Sequence, residues 1–416
     1  MATADQRLDL RTLIDAVEAA PPIEAVDVLA SVLADMLDAT QVSLLIANFS
    51  STAVMRLSHI TAGHGLRDGG NERVEALPLA DSDYERVLFR QDLEIAEDGD
   101  GWLLLLPITE RGDAIGLLEL HVRDHPDHET VAYLESAAHA LAYVLIASRR
   151  HTDLFEWAQR DVPFSLAAEI QRRLLPSAYT AEGGAFTIAG WLEPAHDAGG
   201  DTFDYSVDRE YLYASITDAM GHSIDAALLA TLVVNGLRNR RRALASPVEQ
   251  AEEANHTLLT HADPDQFVTG QILRIRLADG AAEFVNAGHP PPFLLRDGRA
   301  AELDVVADPA FGVAATRYRA QVLQLQPGDR LLLVTDGFLE RNAVRLDIAQ
   351  ILVATVDRHP RQIVRELADR VLQVTGGKLR DDASVVCVDW YGPAGERSAT
   401  AGASRNRATS RGSRGR

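Results

Sequence analysis

Thiols are nearly missing from these 416 residues: one cysteine, Cys387, stands in an apolar run close to the C-terminus. A single cysteine excludes a disulfide framework and any zinc site built from thiolates. No N-terminal h-region and no long apolar span is evident, so a soluble cytoplasmic protein with no membrane partner is expected. Positive charge is scarce as well, with 40 Lys and Arg against 61 Asp and Glu and a formal net charge of -21. Residues 392–416 hold six Arg and one Glu, which leaves -26 on the residues before them. A body that acidic repels nucleic acid and anionic surfaces, so no nucleic-acid partner is expected. Aromatics are only 6%, and the cores must be built mainly from the Leu, Val, Ile and Ala within the 46% hydrophobic fraction. The length points to two folded units plus linkers.

What the chain does have is four short acidic segments in its C-terminal half. They are Gly199-Gly200-Asp201 with Asp204, Asp218-Ala219-Met220-Gly221-His222, Thr335-Asp336-Gly337, and Asp381-Asp382-Ala383-Ser384. The second and third follow apolar runs directly, and the fourth precedes one. Glycine beside these carboxylates permits tight turns and close backbone approach. One Asp-Gly at a strand end is more often a turn than a ligand. Four such segments, with no Cys or His cluster among them, point to hard divalent cations bound through oxygen.

Around these segments the patterning is α+β. Residues 8–38 show helical spacing of apolar groups, and strands are expected near 42–48, 53–58, 101–107 and 114–122. Thr109-Glu110-Arg111-Gly112-Asp113 reads as a hairpin turn, and Pro126-Asp127 opens a helix through Leu145. A helical stretch with a break near Pro163 runs from about 153 to 175. Ser165 caps its last part, whose apolar stripe reads Leu166, Ile170, Leu174 and Leu175. Beyond it, strands are expected at 185–191, 211–217, 267–277, 282–286, 292–295, 318–325, 330–335 and 384–390. Two helices lie among them, 223–238 and 247–261, the second with Ser246, Pro247 and Glu249 as its start signal. The reading is a two-sheet sandwich flanked by helices. The resulting division is 1–150 α+β unit, 151–178 helical linker, 179–391 sandwich unit and 392–416 disordered basic tail.

Leu103-Leu104-Leu105-Leu106-Pro107-Ile108, the turn, and Ala114-Ile115-Gly116-Leu117-Leu118-Glu119-Leu120 resemble the last hairpin of a GAF sensor domain. That resemblance implies a ligand-binding or dimerising unit, with a homodimer through the GAF-like unit and the linker as one arrangement. No Cys is present there for a thioether-linked bilin. His59, His64, His121, His125, His128 and His139 include haem-ligand candidates, though scattered histidines are the commoner account.

The C-terminal segments, with Ile170-Gln171-Arg172-Arg173-Leu174-Leu175-Pro176, Asn286-Ala287-Gly288-His289-Pro290-Pro291 and Thr335-Asp336-Gly337-Phe338-Leu339-Glu340, resemble the SpoIIE-like (RsbU-type) serine phosphatases. These are a bacterial branch of the type 2C metal-dependent protein phosphatases. The resemblance covers about residues 165–391. It implies a phosphatase with two Mn²⁺ or Mg²⁺ ions held by Asp201, Asp218, the carbonyl of Ala219, Asp336 and Asp381, with Asp218 bridging. Two ions about 3.5–4 Å apart lower the pKa of a shared water, which attacks phosphorus in line with the leaving serine or threonine. A phosphorylated STAS-type anti-sigma-factor antagonist is the implied substrate, with sigma-factor release as the output. Asp204 and Asp382 are expected as hydrogen-bond partners or water-mediated ligands. His222 is expected as proton donor or turn residue, Asn286 and His289 as loop-fixing residues, and Glu340 as a support of the Asp336 turn. Arg238-Asn239-Arg240-Arg241-Arg242 is expected to complement a helix dipole. Ser223 stands where the family usually has Gly. Two other functions fit less well: an inactive docking scaffold, which intact carboxylates argue against, and a nucleotide phosphodiesterase, which commonly needs His-Asp metal pairs that are absent here.

Overall fold

The computed structural model describes residues 10–61, 75–160, 164–195, 199–339, 346–377 and 379–395. Two compact units form, one N-terminal to residue 164 and one from Phe164 onward.

In the N-terminal unit, α1 (Leu10–Ala19) and α2 (Ala25–Leu37) precede β1 (Gln41–Ala47), β2 (Ala53–Thr61), β3 (Glu75–Pro78), α3 (Asp83–Arg90), β4 (Glu94–Asp98), β5 (Gly101–Glu110) and β6 (Asp113–Val122). Two further helices follow, α4 (His128–Ser148) and α5 (Leu154–Ala158). The strands form one antiparallel sheet in the order β3-β2-β1-β6-β5-β4. Period-two alternation assigns its faces. Leu104, Leu106, Leu118 and Leu120 join a core with α1, α2 and α4, while Leu105 and Leu117 join a smaller core with Val87 and Leu88 of α3. By length and composition α4 is long and apolar enough to span a bilayer, contrary to the expectation of no long apolar span. Its Leu134, Ala138, Leu141, Ala142 and Leu145 are buried in that core, while Tyr143 and Ile146 are exposed.

The C-terminal unit opens with α6 (Leu166–Leu174), β7 (Thr180–Glu182), β8 (Phe186–Glu193), β9 (Thr202–Val207) and β10 (Tyr211–Ala219). Next come α7 (Ser223–Arg242), α8 (Pro247–His261), β11 (Val268–Arg276), β12 (Ala281–Ala287), β13 (Phe293–Arg296) and β14 (Arg299–Glu302). It closes with β15 (Gln321–Gln324), β16 (Arg330–Val334), α9 (Ile348–Ala354), α10 (Pro360–Thr375) and β17 (Ala383–Trp390). One sheet runs β15-β12-β11-β10-β9 and the other β14-β13-β16-β17-β8-β7, every neighbouring pair being antiparallel. Alternate residues again decide the layers. Leu212, Ala214, Ile216, Leu273, Leu331, Leu333, Val386 and Val388 share the core between the sheets. Leu332, Val334, Val385 and Cys387 turn outward to α9 and α10, and Val268, Ile272 and Val285 turn outward to α7 and α8. The result is an α/β/β/α sandwich, with Cys387 as core.

Four details differ from the expectations. The stretch expected as one interrupted helical connector is two short helices, because Phe155 is buried in the N-terminal core and the Gln159 amide donates to the carbonyl of Ala47 at 2.8 Å; Pro163 lies outside the described residues. The buried stripe of α6 is Ala167, Gln171 and Leu174 rather than Leu166, Ile170 and Leu174, and Leu166 is 63% exposed. The C-terminal half also holds α9 and α10, which the two-helix reading missed. The start signal of α10 was present, since His359 caps it, Pro360 takes the first position and Gly376 ends it with a left-handed turn. The basic run at the end of α7 does more than complement a dipole: Arg238 and Arg241 both donate to Asp204, and Arg238 also to the carbonyl of Leu174 at 2.6 Å.

A buried ion pair braces the six-stranded sheet. Arg330 and Asp389 are fully buried and joined at 2.6 and 2.8 Å, and Arg330 further donates to the carbonyls of Thr355 and Arg358. Removing one member leaves an uncompensated buried charge. Arg330→Leu is therefore expected to destabilise the C-terminal unit by about 3–5 kcal/mol in urea unfolding, and Arg330→Leu with Asp389→Leu by much less.

Candidate functional site

All four acidic segments lie at one end of the sandwich. Asp218 is the penultimate residue of β10, opposite Thr269 of β11, and Asp201 immediately precedes β9. From the other sheet, Asp336 begins a single 3₁₀ turn just after β16, and Asp381 and Asp382 immediately precede β17. Antiparallel pairing requires this convergence, because the end of β10 meets the start of β9 and the end of β16 meets the start of β17.

Buried hydroxyl groups brace this end, and one of them, on Thr335, joins the two sheets. Thr335 donates to the Asp201 carboxylate at 2.7 Å and accepts from the backbone N–H of Ser384 at 2.8 Å. Thr202 and Thr217, paired across β9 and β10, stand hydroxyl to hydroxyl at 2.5 Å. Two glycines allow the backbone to crowd in. A Cβ at Gly200 would lie 2.5 Å from the carbonyl oxygen of Ala219, and one at Gly337 would lie 2.1 Å from the carbonyl oxygen of Asp382.

The electrostatics are one-sided. Burial, then the charges of Asp218 and Asp382, push the Asp201 carboxyl well above the usual range. Burial, then Asp336, Asp381 and Asp382, raise Asp218 from 3.8 to about 7. Burial also raises Asp336 and Asp382. Among the described residues, no Lys or Arg pairs with Asp201, Asp218, Asp336 or Asp382. Also among the described residues, no three His, Cys, Asp or Glu side chains close into a ready-made cage around one point. Ions here would take carboxylate oxygens from both sheets, with the Ala219 carbonyl and water completing their shells. An all-oxygen donor set of this kind suits hard divalent cations.

The supporting residues separate clearly. Asp382 is 1% exposed and accepts from the backbone N–H groups of Ala195 at 2.7 Å and Gly199 at 3.0 Å, so it shapes the loop leading into Asp201. Asp204 is engaged by Arg238 and Arg241. Asn286 and His289 clasp each other through side-chain to backbone bonds of 2.8 and 2.9 Å, fixing their loop. Burial lowers His289 to about 3, which keeps it neutral. His222 is exposed at the N-cap of α7 and makes no capping bond. Ser223 has a φ of 66°, in the left-handed region that glycine adopts without strain and other L-residues at about 1–2 kcal/mol. Glu340 lies outside the described residues. The sequence reading quoted Thr335 and Gln171 only inside longer motifs, with no role of their own, and did not name Thr202 as a site residue or Thr217 as more than the end of a strand. The one sequence signal for the first is a hydroxyl residue set between an apolar run and an Asp.

Residues 208–391 match the family model described as Stage II sporulation protein E (SpoIIE). The match begins after Asp201 and includes Asp218, Asp336 and Asp381. Phosphoserine phosphatase RsbU of Bacillus subtilis (strain 168) is 22% identical over 228 residues, which are 53% of this chain and 68% of that protein. Phosphoserine phosphatase RsbP of the same organism is 26% identical over 236 residues, 54% of this chain and 57% of that protein. Among solved structures, the RsbU and RsbW domains of Rv1364c from Mycobacterium tuberculosis are 22% identical, with a TM-score of 0.45 over 53% of this chain and 64% of that one.

The raised Asp218 carboxyl has a consequence for stability. Its folded pKa of about 7 exceeds its unfolded value of 3.8, so the native state holds the proton more tightly. That stabilisation is complete below the unfolded value and disappears as pH rises through the folded one. With divalent cations chelated, the melting temperature is expected to fall more steeply between about pH 5.5 and about pH 8 in the parent than in Asp218→Asn. Parallel slopes in thermal unfolding would contradict this assignment.

Proposed function

We propose that residues 208–391, which match the SpoIIE family model, form a type 2C phosphatase domain and that the chain is a metal-dependent protein serine/threonine phosphatase. The observation that carries the reading is the convergence of carboxylates on one end, with Asp201 and Asp382 buried, where neighbouring charges raise Asp201 and Asp218 and, among the described residues, no Lys or Arg pairs with Asp201, Asp218, Asp336 or Asp382. Such an end of a sandwich is unfavourable without bound positive charge. Asp201, Asp218 and the Ala219 carbonyl from one sheet, with Asp336 and Asp381 from the other, are the proposed ligands of two Mn²⁺ or Mg²⁺ ions. Bound there, the ions would supply a water of lowered pKa as nucleophile and positive charge facing the phosphoryl oxygens.

The chain's own groups define the rest of the reaction. Asp218 must be ionised to work, and its ionisation is favoured once its neighbours are neutralised. Thr335 fixes one Asp201 oxygen. The neutral His289 is locked in its loop and offers no proton. No nucleophilic side chain is required, in keeping with Cys387 being buried in the core.

Phosphoserine is the substrate that the relatives' names print, and a phosphoserine on a protein, a STAS-type anti-sigma-factor antagonist, is the proposed instance. The N-terminal unit is proposed as a GAF-like sensor that sets the activity of the C-terminal one. One assay series tests these points. Manganese-dependent hydrolysis of p-nitrophenyl phosphate is expected to fall about a hundredfold or more in Asp336→Asn. Phosphorylated STAS-type proteins are expected to outcompete the small substrate, and removal of residues 1–150 is expected to change turnover. Equal rates in Asp336→Asn and parent would sink the phosphatase reading, and unchanged kinetics in the folded truncation would sink sensor control.

A further inference from the structure

Helix α7 is apolar on more than one face. Its inner face, through Ala226, Ala230, Val233 and Leu237, is buried in the core over the five-stranded sheet. A second apolar set faces water: Met220 just before the helix, and Ile224 and Leu228 one turn apart on it, are 39%, 39% and 50% exposed. These three take no part in that core. Between Gly221 and Leu237, Asp225 is the only Asp, Glu, Lys or Arg, in a chain that is 24% charged. The neighbouring α8 shows the ordinary solvated pattern, its exposed positions beginning Glu249, Glu252 and His256.

The exposed set starts at the acidic end. Met220 is two residues past Asp218, and Leu339, also exposed, is three residues past Asp336 beyond the other sheet. A phosphorylated side chain that reaches the carboxylates brings the protein surface around it onto these residues. Charge does not draw such a partner in. The chain has a formal net charge of -21, and a phosphoserine carries about -1.5 to -2, so their long-range interaction is repulsive. Removal of apolar surface from water acts at short range and regardless of charge sign. Size points to a transient partner rather than a second copy of the chain. A stable interface buries about 800 Å² on each side through about 20–30 residues, far more than a few partly exposed side chains supply.

We propose that Met220, Ile224 and Leu228 form the docking surface for a folded phosphoprotein substrate, one that presents apolar side chains beside its phosphoserine. The proposal rests on the phosphatase reading above and extends recognition from the phosphoryl group onto α7. The test compares three forms of the full chain: the parent, the double variant Ile224→Gln with Leu228→Gln, and the control Val322→Gln, whose valine is exposed on β15. Glutamine is a good helix former, so α7 itself is retained. Each form is assayed on p-nitrophenyl phosphate, on a phosphorylated STAS-type protein, and on a short phosphoserine peptide copied from that protein's phosphorylated segment.

In the double variant, kcat/KM on the folded phosphoprotein is expected to fall about tenfold or more, chiefly through KM, as when central interface residues are truncated. Rates on p-nitrophenyl phosphate and on the peptide should stay within twofold of the parent, and Val322→Gln should match the parent on all three. An equal loss on every substrate would make the two residues structural, and an unchanged KM for the phosphoprotein would leave the surface without a role; either result overturns the proposal. A drop in molecular mass of the double variant in sedimentation velocity would assign the surface to a second copy and overturn it as well. Failure of the parent to hydrolyse p-nitrophenyl phosphate would overturn the phosphatase reading itself, and this docking role with it.

Discussion

Repulsion among carboxylates crowded at one end of a β-sandwich is the constraint on which the rest of this C-terminal unit depends. Asp201 and Asp382 are almost fully buried, and the charges of Asp218, Asp336 and Asp381 act on the same space. An isolated buried anion normally neutralises by shifting its pKa or by pairing with a cation. Here Arg238 and Arg241 of α7 are committed to Asp204, at 2.9 and 2.8 Å. Among the described residues, Asp201 and Asp382 are held by hydroxyl, amide and backbone donors. That arrangement keeps them oriented and leaves their charge unspent, as a site for metal ions requires.

The scaffold pins these groups from three directions. Antiparallel pairing brings the ends of β10 and β16 to the starts of β9 and β17. Thr335 then bridges the sheets through Asp201, and Gln171 bridges them through Asp382 from outside both sheets. Gly200 and Gly337 admit backbone contacts closer than any side chain permits. The left-handed Ser223 adds local strain directly after the Asp218 segment, at the start of α7. Strain of this kind persists where the surrounding structure over-determines the backbone. The fixed α/β/β/α layers, each assigned by period-two alternation, supply that surrounding structure.

Much of this was legible in the sequence, for physical reasons that also explain the gaps. Strands such as Leu331–Val334 and Val385–Val388 are unbroken apolar runs because both their faces are buried, and the carboxylates at their ends stand out by contrast. The helix after Ser246 was readable because its capping box is written in three residues. Helix α10 was missed although His359, Pro360 and Gly376 mark its ends. Gln171 was invisible as a site residue for a physical reason. Hydrophobic periodicity scores apolar groups, so it chose the neighbouring stripe through Leu166 and Ile170, and a buried amide bonded to partners 30 and 211 residues away leaves no local pattern. The role of Arg238 and Arg241 was obscured in the same way, because a helix-end dipole account needs no partner and Asp204 lies far off in sequence.

The central claim is that this acidic end exists to hold divalent cations. Its most direct test is titration of the metal-free full chain with Mn²⁺ near pH 6.5 in two buffers of different ionisation enthalpy. Binding should saturate near two ions per chain and release protons, because Asp218 with its carboxyl raised to about 7 must ionise as the metal enters. Absence of saturable binding, or binding with no proton release, would contradict the account.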